Sequence, residues 1–179
     1  MKLLIVLTLF LVVVHSRPSV LIPEYDELTA EERSILAFFP KFLFELVLSL
    51  EGDEINAFVS VYYQEKLSET AYQKALPYAQ TLKGQLAKFS PKLLKAYEAI
   101  IPTSLDFDHD FVQQHVIKVT EKFHGLEEDD LKTLVETFPN FGKVVKNEFF
   151  VTLMKDGLHM SEAERKKLAN GFIDAMGKF

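Results

Sequence analysis

The stretch Ala75–Ile101, ALPYAQTLKGQLAKFSPKLLKAYEAII, limits the fold more than any other part of the chain. Ala75, Ala79, Leu82, Leu86 and Phe89 recur at intervals of three and four, the spacing of one face of an α-helix. Gln80, Lys83, Gln85 and Lys88 fall on the opposite face. Ser90 can cap a second helix with Pro91 at its first position, where a missing N–H is no loss. That helix gathers Leu93, Leu94, Tyr97, Ile100 and Ile101 on one stripe and leaves Lys92, Lys95 and Glu98 outside. Two apolar stripes joined by a Ser-Pro hinge are unfavourable in water, so other helices must cover them.

The remaining sequence offers helices of the same kind. Thr29–Glu32 has a hydroxyl at the cap and a carboxylate three residues later, a capping box. The helix it opens carries Ile35, Leu36 and Phe39 and stops near Pro40. The next segment, Phe42–Leu50, is apolar nearly all round and should be buried on more than one side. Gly52 ends it, and Asp53 can cap a helix bearing Ile55, Phe58, Val59, Tyr62 and Tyr63. A short helix over Glu69–Leu76 is expected to break at Pro77. Beyond Ile101, the run Asp106, Asp108, Asp110 lacks the glycine and distal glutamate of a calcium loop and reads as helix-capping carboxylates.

Phe111, Val112, His115, Val116, Val119 and Phe123 then form a stripe that Gly125 ends. Glu127–Asp130 is an acidic first turn, followed by Leu131, Leu134, Val135 and Phe138 up to Pro139. Phe141, Val144 and Val145 continue, and Phe149, Phe150, Leu153 and Met154 make one more short apolar helix before Gly157. Ser161–Glu164 is a second capping box, opening a helix with Leu168, Phe172, Ile173 and Met176 inward. No strand pattern interrupts this series. The expected fold is all-α, a single compact domain of about nine or ten short amphipathic helices.

Lys2, the apolar run Leu3–Val14 and the small-residue exit at Ser16 describe a secretory signal peptide over residues 1–16. The run is shorter than the roughly 20 residues that span a bilayer. A helical domain over residues 17–179, secreted and soluble, is therefore expected. Without Lys2 it would carry 19 basic against 26 acidic side chains, a net charge of −7, which excludes a broad electrostatic pull on nucleic acid. Cysteine is absent, so packing alone must hold the fold. No Asn-X-Ser/Thr acceptor is present.

The catalogue of catalytic motifs is equally empty. The sequence has no Gly-x-Ser-x-Gly turn, no cysteine nucleophile, no glycine-rich phosphate loop and no His-Glu-x-x-His pair. His115 lies on an apolar stripe, where a hydrogen-bonded core histidine is expected. Neither catalysis, nor a metal, nor a cofactor is anticipated.

Two stretches together carry a family resemblance. One is Ala75–Ile101 with its Ser-Pro hinge. The other is Val119–Phe149, VTEKFHGLEEDDLKTLVETFPNFGKVVKNEF, with a lysine- and aromatic-bearing helix, a Leu-acidic turn, a Phe-Pro segment and a Lys-Asn-Glu-aromatic ending. Both resemble the nematode fatty-acid- and retinol-binding proteins. Phe39–Ala57 is similar to that family's opening segment, so the likeness spans about Phe39 to Phe150. The lead-in Arg17–Phe38 is longer than the family's usual start, and Phe42–Leu48 is more apolar than its usual counterpart.

The resemblance implies a secreted all-helical carrier with an internal apolar cavity for fatty acids and retinol, without metal or catalysis. A membrane would be met only transiently, during lipid transfer. The stripes of the central helices nominate Leu82, Leu86, Leu93, Tyr97, Val116, Val119, Phe123 and Phe138 as its lining. Lys83, Lys92, Lys95, Lys118 and Lys122 are candidates for orienting an anionic headgroup. The competing reading is a secreted helical interaction or structural module with a filled core. Periodicity does not separate the two, because a stripe looks the same against a lipid as against another helix.

Overall fold

A computed structural model of the chain describes residues 28–43, 69–102 and 107–178. The expected signal peptide, the lead-in to Glu27, most of the apolar segment Phe42–Leu50, the helix around Ile55–Tyr63 and Asp106 lie outside the described residues. Eight α-helices occur among them: α1 Ala30–Leu36, α2 Glu69–Leu86, α3 Pro91–Tyr97, α4 His109–Phe123, α5 Glu128–Thr137, α6 Phe141–Lys146, α7 Glu148–Asp156 and α8 Glu162–Gly177. Short 3-10 turns follow α3 and α7, at Glu98–Ile100 and Gly157–His159. The all-α expectation holds, with no strand among the described residues. The chain divides into two compact units, one of residues 1–27 with 40–88, the other of residues 28–39 with 89–179.

Local hydrogen bonding explains where the helices start and stop. Thr29 Oγ1 accepts from the Glu32 amide, and the Glu32 carboxylate accepts from the Thr29 amide at 2.7 Å. Ser161 and Glu164 close the same reciprocal pair at α8. Ser90 Oγ accepts from the Leu93 amide and Asp108 Oδ1 from the Phe111 amide, as the sequence predicts. Asn147 Oδ1 caps α7 by accepting from both Phe149 and Phe150 amides. Gly125 takes φ +74° just beyond α4, a left-handed position that a side chain would strain.

In the larger unit α4 is the axis. α1, α3, α7 and α8 all pack on it, and α8 also packs on α1 and α7. So many neighbours bury more than the predicted stripe. Gln113, Ile117 and Thr120 are buried along with Val112, His115, Val116, Val119 and Phe123. The two polar members are satisfied: Gln113 Nε2 donates to Asn170 Oδ1 at 2.6 Å and Thr120 Oγ1 to the Ile117 carbonyl at 2.7 Å.

Aromatic rings fill this core. Phe38 sits against His115, Phe141, Phe150 and Phe172, with centroids 5.7 to 6.3 Å away. Phe150 also meets Phe123 and Phe172. Phe38, in the turn after α1, is therefore the plug of the unit, a residue that the periodicity does not mark beside Phe39. Both rings are fully buried. Asn140 fixes that turn by donating from Nδ2 to the carbonyls of Ala37 and Phe39.

Two sequence expectations are corrected. The first is the break at Pro77. α2 runs unbroken from Glu69 to Leu86 with Pro77 inside it. Proline removes one amide donor and crowds the preceding turn. Burial outweighs that penalty, because Ala75 and Leu82 share a face across the proline and both are buried. The second is the inward position of Leu94, which is exposed while Ala96 is buried. Leu93, Ala96, Tyr97 and Ile100 form the covered stripe, and Leu94 is turned off it.

Candidate functional site

α3 and α5 hold the part of the larger unit in which chemistry and burial conflict. Ser90 does two things at once. Its hydroxyl caps α3 and donates to Asp130 Oδ1, in the first turn of α5, at 2.7 Å. The next turn adds Lys92, whose ammonium donates to the Gly125 carbonyl at the end of α4. α3 is thus tied at its N-terminus to both neighbours. That frame sets Tyr97, on its last turn, face to face with Phe138, with ring centroids 5.4 Å apart and planes 27° from parallel. Phe89 meets both rings edge-on, at 5.4 Å from Tyr97 and 5.7 Å from Phe138. Phe141 lies 6.0 Å from Tyr97 and links this group to Phe38.

Within this aromatic box one atom is out of place. The Tyr97 hydroxyl is buried and has no hydrogen-bond partner among the described residues. Only 4% of the residue is exposed. A buried hydroxyl ordinarily finds a partner, since leaving one unmade costs about 1–3 kcal/mol. Burial alone pushes the phenol well above its usual range, so it is a neutral donor. Phe89, Phe138 and Phe141, the rings packed on the tyrosine ring, carry no charge.

The residues nominated from the sequence distribute as follows. Leu93, Tyr97, Val116, Val119, Phe123 and Phe138 are all buried within the larger unit. Tyr97 and Phe138 are in direct ring contact, whereas Phe123 faces Phe150 in the filled aromatic core. Leu82 is buried and Leu86 half-buried, both on α2 in the other unit. Lys83, Lys92, Lys95, Lys118 and Lys122 are exposed. Among them Lys92 has a structural partner in the Gly125 carbonyl.

Sequence reasoning did not single out Phe89 and Phe141 for this group. Phe89 was visible as the last residue of a stripe. Phe141 follows a Pro-Asn turn, and no period reveals which way such a turn sends its side chain.

Hydrogen bonds fix the donor nitrogen of two histidines elsewhere in the unit. A carbonyl only accepts, so His115 Nε2 donates to Ile100 O at 3.1 Å and His124 Nδ1 to Met154 O at 2.8 Å. The first of these meets the expectation of a hydrogen-bonded core histidine. His109 lies against Glu31 Oε1 at 3.0 Å and Asn170 Oδ1 at 3.1 Å, two acceptors that together suit the imidazolium. Among the described residues no three His, Asp or Glu side chains gather in a way that could hold a metal ion. No described helix is long and apolar enough to cross a membrane. Comparison with protein-family models, with curated proteins and with solved structures finds no match to this chain.

Proposed function

We propose that the chain is a secreted, non-catalytic carrier of apolar ligands, fatty acids and retinol among them, of the kind that the nematode fatty-acid- and retinol-binding proteins represent. The observation that carries the reading is the aromatic cluster packed on the Tyr97 ring, an apolar setting in which the buried phenol oxygen has no partner among the described residues. An ordinary core avoids such an atom, whereas a binding site uses a few polar atoms to orient an apolar guest. The surrounding helices suit uptake. α3 has seven residues, α5 ten and α6 six, below the length at which an isolated helix is stable in water. They hold together only by mutual packing and can part at modest cost to admit a guest.

The energetics are adequate without a charged clamp. A saturated fatty acid of about sixteen carbons gains about 11 kcal/mol on burial, at roughly 0.8 kcal/mol for each methylene. Association removes several kcal/mol of that gain. The remainder supports micromolar binding, which corresponds to about −8 kcal/mol. The exposed lysines are then optional partners for a headgroup left at the surface.

A filled-core interaction module is the second reading, and the ring contacts of Phe38, Phe150 and Phe172 favour it for that end of the unit. A dansylated fatty acid separates the two. The carrier reading expects a blue-shifted, enhanced emission that retinol reverses, with one ligand per chain in native mass spectrometry. A well-folded protein that takes up neither probe is the filled-core module instead.

A further inference from the structure

The Tyr97 hydroxyl bears on what kind of head a buried guest can have. It sits at the end of α3, held in place by the Ser90–Asp130 bond and by stacking on Phe138. It is a neutral group with one hydrogen to donate and lone pairs to accept with. Phe89, Phe138 and Phe141 are packed on the ring, and none can neutralise a charge. Resting on the carrier reading, we infer that Tyr97 is a head-recognition residue for neutral, alcohol-headed apolar ligands, which bind with the hydroxyl inward against Tyr97 Oη.

The selectivity follows from hydrogen-bond inventory and desolvation. An alcohol both donates and accepts, so it matches a phenol and satisfies the orphaned oxygen without moving a charge out of water. A carboxylate only accepts. Placed here it would be a buried anion, to which the three rings packed on Tyr97 offer no counter-charge, and burying an ion without one is strongly unfavourable. An anionic lipid is therefore held by its chain alone, with its head left toward water, and gains nothing from Tyr97. The same apolar lining thus serves two head orientations, and the phenol discriminates between them.

Retinol and retinoate share a skeleton and differ at the head, so they form the test pair. Each displaces the dansylated fatty acid from wild type and from Tyr97→Phe at pH 7.5, where retinoate is ionised. Wild type is expected to prefer retinol. Tyr97→Phe should shrink the retinol-over-retinoate ratio by about 2- to 12-fold, the value of one neutral hydrogen bond. In the absence of ligand, Tyr97→Phe should melt at the same temperature as wild type or higher, because it deletes an unsatisfied polar atom.

Three results are decisive. An unchanged ratio overturns the proposal while leaving the carrier reading intact. A clearly lower melting point for ligand-free Tyr97→Phe also overturns it, since the hydroxyl would then be a structural bond. Failure of wild type to bind the dansylated fatty acid at all removes the carrier reading itself, and this inference with it.

Discussion

Replacing Phe38 by alanine removes a ring that no helix contains and on which the larger unit depends. Phe38 is fully buried in the turn after α1 and touches His115 and Phe172 as well as Phe141 and Phe150. A buried Phe→Ala change costs about 3–5 kcal/mol through lost transfer energy and the cavity left behind. Aromatic pairs add about 0.5–1.5 kcal/mol each, but contacts to one ring are not additive. The expected loss is therefore about 4–5 kcal/mol, a large share of the 5–15 kcal/mol typical of a domain. α1 should suffer most. It has seven residues, too few to persist undocked.

Urea titration followed by near-ultraviolet circular dichroism should show a midpoint lowered by about 2 M, taking a slope of about 2 kcal/mol per molar. Hydrogen exchange should accelerate at the Ala37 amide, which bonds to the Arg33 carbonyl at the end of α1. Phe38→Leu, which keeps most of the volume, should lose about 1–2 kcal/mol. A Phe38→Ala protein within 1 kcal/mol of wild type, with Ala37 exchange unchanged, would show that the ring does not anchor α1 and that the packing argument is mistaken.

Three further outcomes follow from individual contacts. Gly171→Ala would put a methyl 2.6 Å from the Phe149 ring, so either that ring or the α7–α8 packing must shift; a loss of about 1–3 kcal/mol in chemical denaturation is expected, and a neutral result would show that Phe149 swings aside freely. Burial pushes the His115 imidazole down to about 4, against the hydrogen bond to Ile100 and with help from Lys118. The unfolded chain then binds the extra proton first, so stability should fall by about 3 kcal/mol as pH drops from 6.5 toward 4. His115→Gln should flatten that limb, and an imidazole resonance of His115 titrating near 6.5 would contradict it.

His109 behaves in the opposite sense. Its hydrogen bond to Glu31 raises its affinity for a proton despite some desolvation, and Asn170 and Asp110 add to the rise. The stability it contributes is complete below 6.5 and is lost as pH climbs through the raised value. Because the ring is half exposed, the contribution should stay within about 1 kcal/mol. Proton NMR of the His109 ring checks the direction, and His109→Ala should remove the alkaline decline.

The fold class and most helix boundaries were legible in the residues themselves. Capping boxes at Thr29 and Ser161, the Ser90-Pro91 start and the Gly125 stop work through hydrogen bonds that span only a few residues. Such signals survive without tertiary context. The burial of Leu93, Tyr97, Val116, Val119, Phe123 and Phe138 could likewise be read from the helical period. A period names a face but not what lies against it. It could not tell that Phe123 would meet Phe150 while Tyr97 met Phe138, nor that Leu94 would give up its place to Ala96.

What the sequence by itself determined, then, is a chain of short helices with known ends and apolar faces, because those follow from near-neighbour bonding and from the regular turn of the helix. Tertiary structure alone decided three things: that α2 passes through Pro77, that Phe38 closes the core of the larger unit, and that the Tyr97 oxygen is buried without a protein partner among the described residues. The last two depend on groups brought together from distant positions, and the first on the burial of Ala75 and Leu82. Packing compares all the contacts open to a side chain at once, and no local pattern contains that comparison.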